Sequence, residues 1–151
     1  LWVTFSLAAG LSAITSRPVA MDLLAYAGAV IWLVGFLIES VADLQKGRFR
    51  SNSANKGRFI ASGLWSWSRH PNYFGEIVLW FGIAIMAFPV LQGWQYATLV
   101  SPFFVILLLT RVSGIPLLED AADKKWGGQA DYERYKAATS VLIPLPPRLK
   151  D

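Results

Sequence analysis

The side chains best suited to chemistry gather in one stretch, Ser66-Trp-Ser-Arg-His-Pro-Asn-Tyr-Phe-Gly-Glu76. Pro71 suits the first residue of a helix, where its missing N–H costs nothing. The unpaired N–H groups of such a first turn attract anions, phosphates above all, and Arg69 and His70 stand immediately before it. Asn72 and Glu76 lie one helical turn apart, so an amide and a carboxylate project from one face. That pairing suits a ligand with hydroxyl and amide donors, such as a ribose or a ring bearing a carboxamide. An isolated interfacial histidine needs no ligand, but the Arg, Asn and Glu around His70 favour a binding role.

Glu39 and Asp43 form a second candidate pair, four residues apart on one helix face. Ionisable groups within a membrane helix are costly, and each is a functional hypothesis by default. Asp43 stands at the boundary of its apolar run, where it can equally reach the headgroup region with Lys46 or Arg50 as partner. Glu39 lies deeper, where that explanation is weaker. Neither carboxylate by itself indicates catalysis, and no catalytic residue is assigned. One histidine and no cysteine rule out a His-rich or thiolate metal site. The acids are not spaced as a hard-cation loop, so no metal is expected.

The elements that must hold these groups are membrane helices. Of the 151 residues, 54% are apolar and 16% charged, against about 25% charged in a typical soluble domain; the mean hydropathy is +0.42. An aromatic content of 14% excludes a disordered chain, and the lack of cysteine excludes a disulfide scaffold. Leu1 to Ser16, Leu23 to Ile38 and Ile77 to Thr110 carry no charge. A bilayer span needs about 20 largely apolar residues. The third run is too long for one span. Its centre, Phe88-Pro-Val-Leu-Gln-Gly-Trp94, holds turn formers and an interfacial indole, so two helices are expected, about Pro71 to Phe88 and Gln95 to Ser113.

The first run opens on Leu with no basic residue before it, unlike a secretory signal. It is expected to be the truncated first helix of a C-terminal fragment. The expected architecture is an all-α polytopic membrane bundle of four transmembrane helices plus C-terminal interfacial helices, one transmembrane domain over residues 1–151. Between Asp43 and Asn72 stand Lys46, Arg48, Arg50, Lys56, Arg58 and Arg69, with Asp43 as the one acid. By the positive-inside rule that loop, and the C-terminus two spans later, are cytoplasmic, in a bacterial inner membrane or its equivalent. In the tail, Leu117, Leu118, Ala121, Ala122 and Trp126 recur at helical spacing between charged residues, as in an amphipathic interfacial helix. Gly127-Gly128 ends it. A short helix with Tyr132 and Tyr135 on one face follows, then an extended Leu-Ile-Pro-Leu-Pro-Pro segment.

Gly28 and Gly35 are spaced seven apart, as are Gly75 and Gly82. Two turns separate the members of each pair, and the plain reading is close helix packing, with close approach to a cofactor as the alternative. The basic loop also suits contact with anionic membrane lipid. Trp65 and Trp67 suit interfacial anchors. Nothing supplies a basic face on a soluble element, so no nucleic acid is expected.

Glu39-(x)3-Asp43, the string Ser68-Arg-His-Pro-Asn-Tyr-Phe-Gly-Glu76 and the tail Tyr132-(x)2-Tyr135-(x)7-Ile143-Pro144 together resemble the C-terminal domain of steroid 5-alpha-reductase-like membrane proteins, in particular their bacterial branch. Sterol reductases and isoprenylcysteine-type methyltransferases carry related Arg-His-Pro strings. The resemblance implies a domain that holds NADPH from the cytoplasmic side. Asp43 matches an acidic cofactor contact, Arg50 a basic residue near the phosphates, Asn72 an asparagine that reaches the cofactor, and Glu76 the acid one turn on. Arg69, His70 and Tyr73 belong to the same string, and Glu119 and Tyr135 match acidic and tyrosyl positions of the tail. Glu39 stands where steroid reductases proper have asparagine, and Ala122 where sterol reductases have cysteine.

The resemblance further implies reduction of a lipophilic enone that enters from the bilayer. The substrate-polarising groups would lie in a missing N-terminal half, so the isolated chain is expected to lack part of the catalytic equipment. Two other readings compete. An isoprenylcysteine-type methyltransferase would use S-adenosylmethionine, which carries no phosphate and leaves the surplus of cations unexplained. A membrane scaffold would need no ligand at all.

Overall fold

The structure, a computed structural model, describes residues 22–147 together with Ala8 and Gly10. Helix α1, Leu23–Ser51, starts where the Asp22 side chain accepts a hydrogen bond from the Ala25 N–H at 2.8 Å. Arg48 and Arg50 occupy its last turn, where cations offset the negative end of the helix dipole. Helix α2, Pro71–Ala87, begins on its proline as expected. A 3-10 turn, Phe88–Val90, ends it at the next proline.

The glycine pairs decide how α1 and α2 meet. Gly28 faces Gly82 and Gly35 faces Gly75, so the helices run antiparallel. A Cβ on Gly28 would lie 2.6 Å from the Met86 backbone nitrogen, and one on Gly75 would lie 2.5 Å from that of Glu39. These glycines serve helix packing, by removing the side chains that would hold two backbones apart.

The second half of the long apolar run is helical but not uniformly α. A 3-10 helix, Gly93–Val100, passes into α3, Ser101–Leu107, at Pro102, and α3 passes into a π turn, Leu108–Val112. Thr110 donates its hydroxyl to the Ile106 carbonyl at 2.7 Å, a back-bond that competes with the backbone ladder. The core is thin. Ile77, Val105 and Leu109 are buried together against Tyr73, Trp80, Phe81 and Leu142, while Val30, Leu33, Val34, Leu37, Phe103 and Leu107 are exposed. Apolar side chains on the outside of so hydrophobic a bundle face lipid.

Among the described residues, three stretches are long and apolar enough to cross a bilayer, Leu23–Ser51, Pro71–Val90 and Gly93–Trp126. There is no strand among them. The protein is an all-α membrane bundle. The expected first helix, Leu1 to Ser16, lies outside the described residues except for Ala8 and Gly10, which are helical.

Within the third stretch, after the π turn, the chain bends at Ser113-Gly114 into α4, Ile115–Trp126, and α5, Ala130–Ala138, follows. Gly128, at φ +81°, makes the corner between them. The segment after α5 then lies back on the loop before α2. Arg69 N–H donates to Ser140 O at 2.8 Å, Ser68 Oγ to Leu142 O at 2.8 Å, and Leu145 N–H to Trp67 O at 3.0 Å.

Candidate functional site

The loop between α1 and α2 is pinned at several points. Trp65, buried, donates its indole N–H to the Ala42 carbonyl of α1 at 3.0 Å, and Leu64 N–H donates to Gln45 Oε1 at 2.9 Å. Gly63 allows that close approach at φ +62°. From the tail, the Tyr135 hydroxyl donates to the Trp65 carbonyl at 2.7 Å and the Trp126 indole to the Gly57 carbonyl at 2.6 Å. Phe59 is the hub, with ring centroids of Tyr132 and Tyr135 at 5.3 Å and Trp126 at 6.0 Å.

These contacts frame a half-open cavity of about 300 Å³ between the end of α1, the loop, α4 and α5. Lys46, Arg50, Arg58, Arg69 and Lys125 line it with Glu119, the one acid among the lining residues, and with Phe49, Phe59, Trp65, Trp126, Tyr132 and Tyr135. Lys46 Nζ lies 4.7 Å above the Trp65 ring and Lys125 Nζ 4.6 Å above that of Trp126, so aromatic faces help hold both ammonium groups. Burial, with Asp123 as hydrogen-bond partner, pushes the Tyr132 hydroxyl up to about 12. Burial pushes Tyr135 up as well. Both are neutral phenols near neutral pH. A cavity with this excess of cations and aromatic walls can bind a phosphorylated molecule with a flat ring system.

At the inner wall, Glu119 bridges two residues that precede α2. His70 Nε2 lies 2.8 Å from Glu119 Oε1, and Arg69 Nη2 lies 3.1 Å from Oε2. His70 stacks on Tyr73 with ring centroids 5.7 Å apart. Arg69 Nε and Nη1 are buried without a hydrogen-bond partner.

The structure thus divides the residues singled out from the sequence. Arg50, Arg69, His70, Glu119 and Tyr135 come together on the cavity. Glu39 and Glu76, half-buried, instead flank the Gly35–Gly75 contact of the α1–α2 seam, and Asp43 is exposed one turn further along α1. Tyr73 does not line the cavity but stacks on His70, which does. Asn72 is half-buried in the first turn of α2 and does not line the cavity. Position relative to the helix start explains the split. His70 sits before α2 in a non-helical conformation, φ −136° and ψ 59°, so its side chain and that of Arg69 diverge from the face that carries Glu76.

The chain matches the family described as Protein of unknown function (DUF1295) over residues 1–139. It belongs to that family. The DUF1295 chain is also 28% identical over 118 residues to 3-oxo-5-alpha-steroid 4-dehydrogenase 1 of Bos taurus, which spans 78% of this chain and 40% of that protein. It is 30% identical to Delta(14)-sterol reductase of Ascobolus immersus over 95% of this chain and 35% of that protein. A Probable O-methyltransferase ustE of Ustilaginoidea virens is 30% identical over 98 residues, 65% of this chain and 32% of the methyltransferase. The chain therefore spans about two fifths or less of the length of these relatives. No solved structure matches significantly. The likeness to steroid 5-alpha-reductase-like membrane proteins expected from the motifs is upheld.

Several cavity residues of the DUF1295 chain were not legible as site residues. Trp65 reads as an interfacial anchor, and Lys125 and Phe59 carry no motif of their own. The available signal was Lys125-Trp126 directly before Gly127-Gly128, a cation and an aromatic at a corner where the chain must turn back.

Proposed function

We propose that this chain is the nucleotide-holding part of a membrane-embedded, NADPH-dependent reductase that acts on a carbon–carbon double bond of a lipophilic enone. The observation that carries the reading is the cavity at the charged end of the bundle, where Lys46, Arg50, Arg58, Arg69 and Lys125 converge with aromatic side chains. A dinucleotide with three phosphates needs several cationic partners. The buried, unpartnered Nε and Nη1 of Arg69 fit an anionic group as well, because such atoms are costly unless a ligand pairs with them.

NADPH, when bound, supplies the hydride; the protein supplies orientation and electrostatics. Arg50, Arg58, Lys46 and Lys125 would hold phosphates, with Arg69 and His70 at the inner wall. Asp43, Asn72 and Glu76 would supply polar contacts toward the sugar and carboxamide, with Glu39 and Tyr73 beside them. The substrate would enter laterally from lipid, and the groups that polarise its carbonyl would lie in a further N-terminal part of the protein. Residues 1–151 are read as one transmembrane domain, with the basic loop and the C-terminus facing the cytoplasm. The names of the bovine and Ascobolus relatives support reductive chemistry.

The methyltransferase relative favours a second reading, binding of S-adenosylmethionine. That ligand is a sulfonium cation without phosphate, and five cations around its pocket would oppose it. Thermal unfolding of the detergent-solubilised protein with each ligand separates the readings. NADPH is expected to raise the midpoint and S-adenosylmethionine to leave it unchanged. The reverse result overturns the reductase reading, and a folded protein stabilised by neither points to a scaffold.

A further inference from the structure

Glu119 is out of place in an anion-binding cavity. A carboxylate on the wall repels phosphate, and that repulsion is stronger away from bulk water. Its surroundings supply the reason for its presence. One oxygen meets His70 Nε2 at 2.8 Å and the other meets Arg69 Nη2 at 3.1 Å. The side chains of His70 and Arg69 are only 6% and 11% exposed. Without Glu119, the buried Arg69 guanidinium would lose its ion-pair partner, an arrangement that is strongly unfavourable for a buried charge.

The backbone of residues 68–70 is already fixed from elsewhere. Arg69 N–H donates to Ser140 O, and His70 N–H donates to Ser68 Oγ at 3.1 Å. What remains free is the direction of the two side chains, and that is what the carboxylate from α4 determines. It pairs with Nη2 of the guanidinium and leaves Nε and Nη1 without a protein partner.

We propose that Glu119 is a positioning residue: it takes Arg69 and His70 as its two partners and so fixes the Arg69 guanidinium, whose Nε and Nη1 have no protein partner, on the wall of a cavity that takes an anionic group. The identity of that group as a nucleotide phosphate rests on the reading above. Glu119 acts through Arg69 and does not itself touch the ligand.

His70 is the one histidine of the chain, so nitrogen NMR of isotope-labelled histidine follows a single imidazole. Glu119→Gln is expected to move that signal and to weaken NADPH binding about tenfold, the scale of one charge-assisted hydrogen bond. Added to Arg69→Lys, it is expected to cause little further loss, because both changes act on one unit. Glu119→Asp, with the charge on a shorter arm, must move the same imidazole signal and serves if the Gln variant does not fold. An unmoved imidazole, or losses that add fully in the double variant, overturns the positioning role. An imidazole signal that moves in the Glu119 variants, with a folded wild type that binds no NADPH, overturns the nucleotide reading alone.

Discussion

Gly35 and Gly75 face each other across the α1–α2 seam with no room for a side chain on either. A Cβ on Gly35 would collide with the backbone nitrogen of Leu79, and one on Gly75 with that of Glu39. Glu39 follows Gly35 by one turn and Glu76 directly follows Gly75, so the packing that joins the helices also sets the spacing of these acids.

Gly35→Ala should therefore force the helices apart. Overpacking of this kind costs about 1–3 kcal/mol, and backbone atoms cannot swing aside as a flexible side chain can. Thermal unfolding in detergent should show a clearly lowered midpoint for Gly35→Ala and for Gly75→Ala. Gly47→Ala, with open space around its Cβ, should leave it unchanged or raise it. Equal midpoints for all three variants would contradict the packing.

Arg50→Ala should weaken NADPH more than NADH if Arg50 meets the 2′-phosphate. Loss of an ionic contact to a phosphate is expected to cost about tenfold or more in affinity. Parallel titrations with the two nucleotides check this, and equal losses would place Arg50 away from the 2′-phosphate.

Trp126→Phe removes the indole donor to the Gly57 carbonyl and keeps a ring for Phe59 and Tyr132 to pack on. About 1 kcal/mol should be lost from the closure of the tail on the loop. Limited proteolysis should then cut more readily between Asn52 and Phe59, and an unaltered cleavage rate would show that the hydrogen bond does not hold the loop.

The buried Tyr132 hydroxyl, raised from 10.0 to about 12, makes the fold sensitive to alkali. The folded state holds this proton more tightly than the unfolded chain does. Its contribution to stability is fully present below pH 10 and is lost as pH rises toward about 12. Tyr132→Phe should unfold with a shallower pH dependence across that window, as read from unfolding midpoints at successive pH values. An identical slope in both proteins would show that Tyr132 does not carry the effect.

The membrane bundle was legible because hydropathy is a local property. Runs such as Leu23 to Ile38 leave water whatever they later touch, and Pro71, Pro89, Pro102 and Gly127-Gly128 mark where helices start, stop or change pitch. The seven-residue glycine spacing pointed to close packing for the same reason: a helix repeats its faces at fixed intervals. The string around Arg69 and His70 was visible as a cluster because its residues are neighbours in the chain.

Which of those residues share a site was decided only by the tertiary structure. Asn72 and Glu76 are sequence neighbours of Arg69 and His70, yet neither lines the cavity, while Arg69 and His70 do and meet Glu119. The reason is that residues 69 and 70 precede the helix, so helical periodicity does not govern where their side chains go. Trp126 and Tyr135 reach Gly57 and Trp65 because α4 and α5 fold back over the loop between α1 and α2. Sequence alone determined which residues enter the membrane and where the cations accumulate. The fold-back of the tail, a product of long-range hydrogen bonds and ring packing, decided which of those cations line a cavity.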